Sequence, residues 1–374
     1  MQIYENAYLT TRGIGIYNNW RPLTCHKNQV LIKQWLCKMA EDHSPERDML
    51  NRAARACAAL LLGGAAMIAS AAEVVLYSSN NVDAIGRAVE LFNKTHPDIK
   101  VSVVRAGTGA LMQRMKAEAA NPLGDVFWSG GLATVREFRH LLDPYQSAHA
   151  AFVPSPYREP SGLWLGTNTQ VAVLMVNQRQ TGTDPVPARW ADLAAPQWKD
   201  RIVIPDPERS SASYAALYGL RQLLGADTLG RIARNATVVS TTSAAYEGVA
   251  KGEFAVAVTM EYAAQEYVAG GLKEIRVVYP AEGTFASPEG MALIKGGKHP
   301  AEARKLYDFL ASRELQAQLA KSNYRRPLRS DIDVSQLTGL PALDRLKIVP
   351  LDEAKMAAAR SEFLAQWRRL LASR

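Results

Sequence analysis

The chain has 374 residues, of which 48% are hydrophobic and 21% are charged, as in an ordinary folded protein of two or three domains. Its 25 glycines and 19 prolines follow no period, which excludes collagen-like, low-complexity and repeat architectures. Lys and Arg outnumber Asp and Glu by 44 to 36. In the chain after residue 71 the longest basic runs are the pairs Arg325-Arg326 and Arg368-Arg369, so we interpret the excess as a solvated surface and expect no nucleic-acid partner.

The segment from Met49 to Ala72 has the layout of a secretory signal peptide. Arg52 and Arg55 precede an apolar run over residues 56–68, and the small-residue sequence Ala69-Ser70-Ala71 follows. As a helix the run would extend about 20 Å, which is too short for a hydrocarbon core of about 30 Å. A buried core helix is the alternative. We expect residues 49–72 to be a signal peptide with cleavage near residue 71.

Residues 1–48 precede the expected signal peptide and show neither a helical nor a strand period. Our hypothesis is that translation starts at Met49 and that residues 1–48 are a non-native extension. All three cysteines, Cys25, Cys37 and Cys57, lie before residue 72. The mature body therefore needs no disulfide and cannot build a thiolate metal site.

Short β-rich runs alternate with helical patterns in the first part of the mature chain. Strands are predicted at 73–77, 99–104 and 125–128, followed by helices whose apolar residues lie within 85–92, 111–119 and 132–142. This alternation predicts parallel βαβ units. The turns after such strands line up at the carboxyl edge of the sheet, where ligands bind.

The middle of the chain predicts a second α/β unit inserted into the first. The predicted strands are 171–177, 201–204, 237–240, 254–259, 275–279 and 290–294, and the predicted helices are 190–198 (short), 210–224, 244–251, one after 260, 300–321 and 352–371. We expect lobe 1 to comprise 73–172 and 284–374, and lobe 2 to comprise 173–283. Each lobe would be a mostly parallel sheet flanked by helices. Two connecting strands, near 171–177 and 284–290, would allow hinge closure over a ligand.

Ser, Thr, Asn and Gly residues cluster at five predicted strand-to-helix turns. A helix N-terminus has free N–H groups and about half a positive charge, so it can bind an anion, although the same residues are also preferred N-caps. Since the clusters fall in both lobes, we expect them to share one anion pocket. The candidates are Ser78, Ser79, Asn80, Thr108, Gly109, Ser129, Gly130, Gly131, Ser210, Ser211, Ser213, Thr242 and Ser243.

Glu261 and Tyr262 follow the predicted strand 254–259 and face the same edge. The carboxylate could accept hydrogen bonds from ligand hydroxyl or amine groups, or it could simply be favoured by the helix dipole. Arginines near the turns could bind a phosphate in bidentate fashion, but we interpret each of them as a surface residue. They are Arg105, Arg209, Arg325 and Arg326.

Catalytic and metal-binding motifs are absent from the sequence. It contains no G-x-S-x-G, no H-E-x-x-H and no Walker loop. None of the mature chain's histidines pairs with a second His or a Cys at metal-ligand spacing. We therefore expect a protein that is not an enzyme and has neither a metal nor a cofactor.

A series of short motifs, in order along residues 73–333, resembles the periplasmic solute-binding proteins of ABC importers, in the ferric-iron, phosphonate and sugar-phosphate branch of the type 2 fold. The motifs are Leu76-Tyr77-Ser78-Ser79, Ala106-Gly107-Thr108-Gly109, Gly124-Asp125-Val126, Trp190-Ala191-Asp192-Leu193, Pro196-Gln197-Trp198-Lys199, Asp206-Pro207, Ser210-Ser211, Ser243-Ala244-Ala245-Tyr246-Glu247-Gly248-Val249, Gly252-Glu253 and Asp308-Phe309-Leu310. The resemblance implies a two-lobed α/β protein in the periplasm that works as a monomer with an ABC permease.

The resemblance also bears on the ligand. Iron-binding members typically have adjacent tyrosines after the matching strand and often a His and a Glu after the first strand. This chain has Met260-Glu261-Tyr262 and Ser78-Ser79-Asn80-Asn81 instead. Ser210-Ser211-Ala212 matches the family's anion-binding helix start, and Thr242-Ser243 matches its second contact. The expected ligand is a small phosphorylated anion, a sugar phosphate or a phosphonate, with Glu261 near its polar body. The alternatives are a ferric-iron carrier that uses Tyr262 and a periplasmic phosphoesterase.

Overall fold

The computed structural model describes residues 72–372, and the structural account is confined to them. The predicted extension at 1–48, and all but the last residue of the predicted signal peptide, lie outside the described residues. Within 72–372, no helix combines the length and the apolar character that a membrane crossing requires.

The described chain alternates strands and helices over its first half and becomes helical towards its end. The strands are β1 (Ala72–Ser78), β2 (Ile99–Arg105), β3 (Val126–Gly131), β4 (Leu142–Asp143), β5 (Leu165–Asn177), β6 (Ile202–Pro205), β7 (Ala236–Val239), β8 (Val256–Met260), β9 (Ile275–Val278), β10 (Ala286–Ile294) and β11 (Arg326–Pro327). The α-helices are α1 (Val82–Thr95), α2 (Thr108–Ala117), α3 (Leu132–Glu137), α4 (Gln178–Thr181), α5 (Ser211–Leu224), α6 (Ala226–Asn235), α7 (Thr242–Ala250), α8 (Glu261–Ala269), α9 (Pro300–Ala311), α10 (Arg313–Asn323), α11 (Val334–Thr338) and α12 (Glu353–Ala372).

The long strand β5 joins two half-sheets, and the main strand order is β2-β1-β3-β10-β5-β8-β6-β7. Residues 165–171 of β5 pair antiparallel with β10, residues 172–176 pair antiparallel with β8, and residues 174–177 pair antiparallel with β9. We call the part containing β1, β2, β3 and β10 the first half-sheet, and the part containing β6, β7, β8 and β9 the second half-sheet. β1 pairs parallel with β2 and β3, and β6 pairs parallel with β7 and β8, as the helical crossovers require.

Each half-sheet is covered by apolar side chains on both faces. Phe92, Trp128 and Tyr307 belong to a buried cluster on the first half-sheet. Trp190 and Trp198 belong to a buried cluster on the second. Because large aromatic side chains dominate core energetics, these clusters fix the positions of the turns at the strand ends.

The C-terminal helix α12 packs on the second half-sheet's core, although its residues were assigned to lobe 1 in the sequence analysis. Met356, Phe363 and Trp367 of α12 are buried in the same cluster as Trp190. The lobe boundaries at residues 172 and 284 therefore remain a proposal, with α12 spanning both parts.

Several elements differ from the sequence-based expectation. The expected helix over 300–321 is divided at Ser312, whose side chain accepts a hydrogen bond from the Leu315 amide at 3.3 Å and starts a new helix. The expected helix over 132–142 ends at Glu137, because Leu142 and Asp143 pair with β10 instead. Helices α4, α6 and α11 and the two-residue strands β4 and β11 were not predicted.

Candidate functional site

A cavity of about 170 Å³ lies at the carboxyl ends of strands from both half-sheets. Eight of the predicted ligand-binding residues line it: Ser79, Thr108, Ser210, Ser211, Ala212, Thr242, Ser243 and Tyr262. The remaining lining residues are Asn81, Arg105, Ala106, Gly107, Gln170, Arg209, Ser240, Thr241, Tyr246 and Glu289. The cavity therefore combines residues from four of the five turn clusters that the sequence predicted to converge, and the cluster at 129–131 is not part of its lining.

The helix starts at the cavity are of two kinds. Ser210 caps α5 by accepting a hydrogen bond from the Ser213 amide at 3.2 Å, and Thr241 caps α7 by accepting one from the Ala244 amide at 3.1 Å. Helix α2 starts after Gly107 and has no side-chain cap. Thus the side chains of Ser210 and Thr241 have the ordinary capping role at two helices. At the start of α2 no side chain caps the free amide groups, and one of them, that of Gly109, donates to the Arg209 carbonyl.

The two half-sheets contact each other directly beside the cavity. The hydroxyls of Thr108 and Ser211 lie 3.1 Å apart, and the Gly131 amide donates to the Ser211 hydroxyl at 3.1 Å. The Gly109 amide donates to the Arg209 carbonyl at 3.2 Å. A Cβ added to Gly109 would lie 1.9 Å from the Glu208 carbonyl oxygen. Only a glycine permits this backbone approach.

The other predicted residues lie behind the cavity wall. They are Ser78, Asn80, Gly109, Ser129, Gly130, Gly131, Ser213 and Glu261. Several of them have partners within the protein: the Ser78 hydroxyl accepts from the Asn80 amide, and the Ser213 hydroxyl donates to the Pro205 carbonyl. The serine side chains among them form hydrogen bonds within the protein.

Glu261 is located away from the cavity, in contrast to the role expected for it. Its side chain is 2% exposed and forms a bidentate ion pair with Arg326, with N–O distances of 2.6 and 2.9 Å. The Tyr279 hydroxyl also donates to Glu261. Arg326, interpreted from the sequence as a surface residue, is 3% exposed. This pair satisfies its own hydrogen bonds inside the protein, and Glu261 is not positioned to contact a ligand in the cavity.

Glu289 and Gln170 are cavity residues that the sequence analysis missed. Glu289 lies on β10, and its Oε2 accepts hydrogen bonds from the Ser129 hydroxyl at 2.8 Å and the Asn168 amide at 3.0 Å. Gln170 lies on β5, and its buried side-chain oxygen has no hydrogen-bond partner among the described residues. A glutamate directly before the apolar run 290–294 was the available sequence signal for a buried charge.

Arg325 lies beneath Tyr262 at the cavity wall. Its guanidinium carbon is 3.6 Å from the centre of the Tyr262 ring, a close cation–π contact, and Nη1 is 3.9 Å from Glu289 Oε2. The side chain is 3% exposed, and none of its three nitrogen atoms has a hydrogen-bond partner among the described residues. Burial raises the pKa of Tyr262, and the Arg325 charge opposes that rise.

The cavity also contains two further cationic residues and no acidic metal cluster. Arg105 and Arg209 line it, and Arg105 Nε donates to the Asn80 carbonyl at 2.9 Å. Across residues 72–372, no group of three or more His, Cys, Asp or Glu side chains could hold a metal ion. The arrangement offers hydroxyl, amide and guanidinium donors to a small anion.

The sequence profile of bacterial extracellular solute-binding proteins matches residues 125–356. This chain belongs to that family. It is 26% identical over 291 residues to iron uptake protein A1 of Synechocystis sp., covering 71% of this chain and 78% of that protein. It is 24% identical over 257 residues to a putative 2-aminoethylphosphonate-binding periplasmic protein of Salmonella typhimurium, covering 63% of this chain and 72% of that protein.

The fold is shared with the periplasmic binding protein AfuA from Actinobacillus pleuropneumoniae, whose structure contains fructose-6-phosphate. The TM-score is 0.74 at 23% identity, covering 80% of this chain and 99% of AfuA. The predicted type 2 periplasmic binding protein fold and the predicted relationship to solute-binding proteins of ABC importers are thereby confirmed. The names of the two relatives refer to iron uptake and to 2-aminoethylphosphonate binding.

Proposed function

We propose that this chain is the periplasmic substrate-binding component of an ABC importer and that it captures a small phosphorylated anion, a sugar phosphate or a phosphonate. The observation that carries the proposal is the cavity itself, where hydroxyls from both half-sheets lie beside Arg105 and Arg209. Each hydrogen bond to a charged group contributes about 1.5–3 kcal/mol. Four or five of them, less the cost of ordering, reach the ~8 kcal/mol of micromolar binding.

Capture requires closure of two lobes and makes or breaks no covalent bond. We propose that the lobe of residues 73–172 with 284–374 and the lobe of residues 173–283 move about the connection through β5 and the start of β10, while α12 stays packed on the core of the second half-sheet. The direct contacts of Thr108 with Ser211 and of Gly109 with Arg209 support this proposal, because they join the lobes where a ligand would be enclosed. Release to the permease would follow reopening.

A thermal-shift panel tests the proposal. The chain is heated with inorganic phosphate, 2-aminoethylphosphonate, fructose 6-phosphate and ferric citrate. A ligand that binds only the folded state raises Tm by mass action, and we expect a rise with at least one phosphorus compound. The variant Thr242→Val should reduce that rise, whereas Ser161→Ala, at an exposed position, should not. A rise with ferric citrate alone would contradict the proposal.

Ferric-iron transport is the second candidate, because two tyrosines and a carboxylate, Tyr246, Tyr262 and Glu289, line the cavity. Oxygen donors of this kind suit a hard cation. An iron carrier of this type would turn red with ferric ion through phenolate coordination, and Tyr262→Phe would abolish the colour. Without colour, and with binding of a phosphorus compound, the anion function stands.

A further inference from the structure

We infer that the captured anion carries hydroxyl groups on its uncharged part, and that Glu289 and Gln170 accept hydrogen bonds from them. This inference rests on the proposed function and specifies the ligand further. It concerns the part of the cavity wall formed by strands β5 and β10, where Ser287 pairs with Gln170 and Glu289 pairs with Asn168. The donors at the helix starts belong to a different part of the wall.

Glu289 has one carboxylate oxygen available for a ligand. Oε2 is engaged by Ser129 and Asn168, whereas Oε1 accepts a hydrogen bond from no residue in the described part of the chain. The side chain is 3% exposed, and an ionised carboxylate can accept several hydrogen bonds. Because Glu289 lines the cavity, this second oxygen can accept a hydrogen bond from a donor on a ligand bound there.

Gln170 presents a second unsatisfied group to the same cavity. Its side chain is nine-tenths buried and its oxygen has no donor among residues 72–372. An inorganic anion held at the helix starts is too small to supply donors to both Glu289 Oε1 and the Gln170 side-chain oxygen. A ligand with hydroxyl groups can donate to Glu289 and Gln170 while its anionic end contacts the helix starts.

The local charge favours hydroxyl groups over an ammonium group. Arg325 lies 3.9 Å from Glu289 and is itself buried without a hydrogen-bond partner in the described chain. The pair is close to neutral, so this wall has acceptors without a net negative charge. A ligand ammonium would lie near the Arg325 cation, whereas a hydroxyl can donate to Glu289 at no electrostatic cost.

The test compares phosphate esters that differ only in their hydroxyl groups. Isothermal titration of the full chain is carried out with glycerol 3-phosphate against propyl phosphate, and with sorbitol 6-phosphate against hexyl phosphate. We expect the hydroxylated member of at least one pair to bind at least tenfold more tightly. Gln170→Met should reduce that ratio to threefold or less, because it removes the acceptor and no described residue depends on it. Ser243→Ala should weaken both members of a pair equally.

The remaining outcomes separate this inference from the function on which it rests. Equal affinity within both pairs, or tighter binding of phosphoethanolamine than of glycerol 3-phosphate, would overturn the inference and leave the anion function standing. No binding of any phosphorus compound, inorganic phosphate included, would overturn both. Glu289→Leu is a second variant, assessed only with a cooperative melting transition, and it should also lower the ratio. An unchanged ratio in both variants would refute the assigned residues.

Discussion

Arg325 and Arg326 are neighbours in sequence, equally buried and each paired with a buried glutamate, yet their surroundings differ. Arg326 binds Glu261 through two hydrogen bonds of 2.6 and 2.9 Å and donates to the Pro341 carbonyl at 2.8 Å. Arg325 lies 3.9 Å from Glu289 and makes no hydrogen bond to a described residue. The Arg326 pair therefore has its hydrogen bonds within the protein. The Arg325 pair, beside the cavity, is incomplete because the arginine has no hydrogen bond to a described residue.

This difference distinguishes the Glu261–Arg326 pair, which has a structural role, from the Glu289–Arg325 pair, which can still bind a ligand. A buried ion pair needs hydrogen bonds to offset its desolvation, and the Glu261–Arg326 pair has them. The Glu289–Arg325 pair is held by the Tyr262 ring and by two donors to Glu289. Such a pair can respond to a ligand, because a bound molecule would supply the contacts that the protein does not.

The largest expected effect is on stability and compares the two arginines directly. Arg326→Leu leaves Glu261 buried and without its cation, which should lower the free energy of unfolding by about 3–5 kcal/mol. Arg325→Leu removes no direct hydrogen bond, so its loss should be smaller by about 2 kcal/mol or more. Urea denaturation of both variants measures the difference.

The double variant Glu261→Gln with Arg326→Leu is the control for this comparison. It removes the uncompensated charge and should recover part of the stability that Arg326→Leu loses. Equal losses for Arg325→Leu and Arg326→Leu would show that the hydrogen bonds do not distinguish the two pairs.

Glu353 extends the comparison to a buried carboxyl that forms no salt bridge in the described chain. Burial raises the pKa of Glu353 from 4.5 to about 7, against the opposing effects of the Ala133 backbone and Arg136. A raised pKa means that the folded state binds the proton more tightly. The stabilising contribution is therefore complete below pH 4.5 and is lost as the pH rises through 7, by about 3 kcal/mol.

Glu353→Gln tests this pH dependence, because the amide stays neutral throughout. We expect the variant and the unaltered chain to have similar free energies of unfolding at pH 4.5. At pH 8.5 the variant should be more stable, by up to about 3 kcal/mol. Denaturation curves at the two pH values measure this difference. An equal change in the free energy of unfolding for both proteins between pH 4.5 and 8.5 would show that Glu353 does not titrate in this range.

Gly109→Ala tests the proposed closure through the close approach of Gly109 to Glu208. The added methyl would lie 1.9 Å from the Glu208 carbonyl oxygen, so the lobes could not approach to the same distance. Affinity for inorganic phosphate should fall at least tenfold, or about 1.4 kcal/mol. Gly86→Ala is the matched control, because its Cβ would contact nothing within 4 Å and alanine favours the helix. Unchanged affinity for Gly109→Ala in calorimetry would argue against closure.

The sequence was sufficient to predict the turns that carry Ser79, Thr108, Ser211 and Thr242 to the cavity. Apolar runs marked the strands, and the polar clusters marked the helix starts that follow them. The parallel topology then places those turns at one edge. These signals are local along the chain, so they can be interpreted without knowing which strands pair.

The acceptor wall could not be predicted in the same way. Gln170 and Glu289 line the same cavity because β5 pairs with β10, although the two residues are more than a hundred positions apart in the sequence. No local sequence pattern specifies that pairing. Glu261 and Tyr262 were expected to face the same edge, yet only Tyr262 lines the cavity. Adjacent residues at a helix start diverge by about 100° around its axis, so neighbours in sequence point to different partners.

The smallest expected effect concerns Ser211, whose hydroxyl contacts both the Thr108 hydroxyl and the Gly131 amide across the cavity rim. Ser211→Ala should weaken inorganic phosphate binding about fivefold, because one net hydrogen bond is worth about 1 kcal/mol. A double-mutant cycle with Thr108→Val measures the coupling between the hydroxyls. A coupling of about 0.5 kcal/mol or more in the bound state, and none in the free energy of unfolding without phosphate, would show that the contact forms on closure. Equal coupling in both measurements would instead make it a permanent part of the fold, and the incomplete Arg325 pair would then border a cavity that does not open.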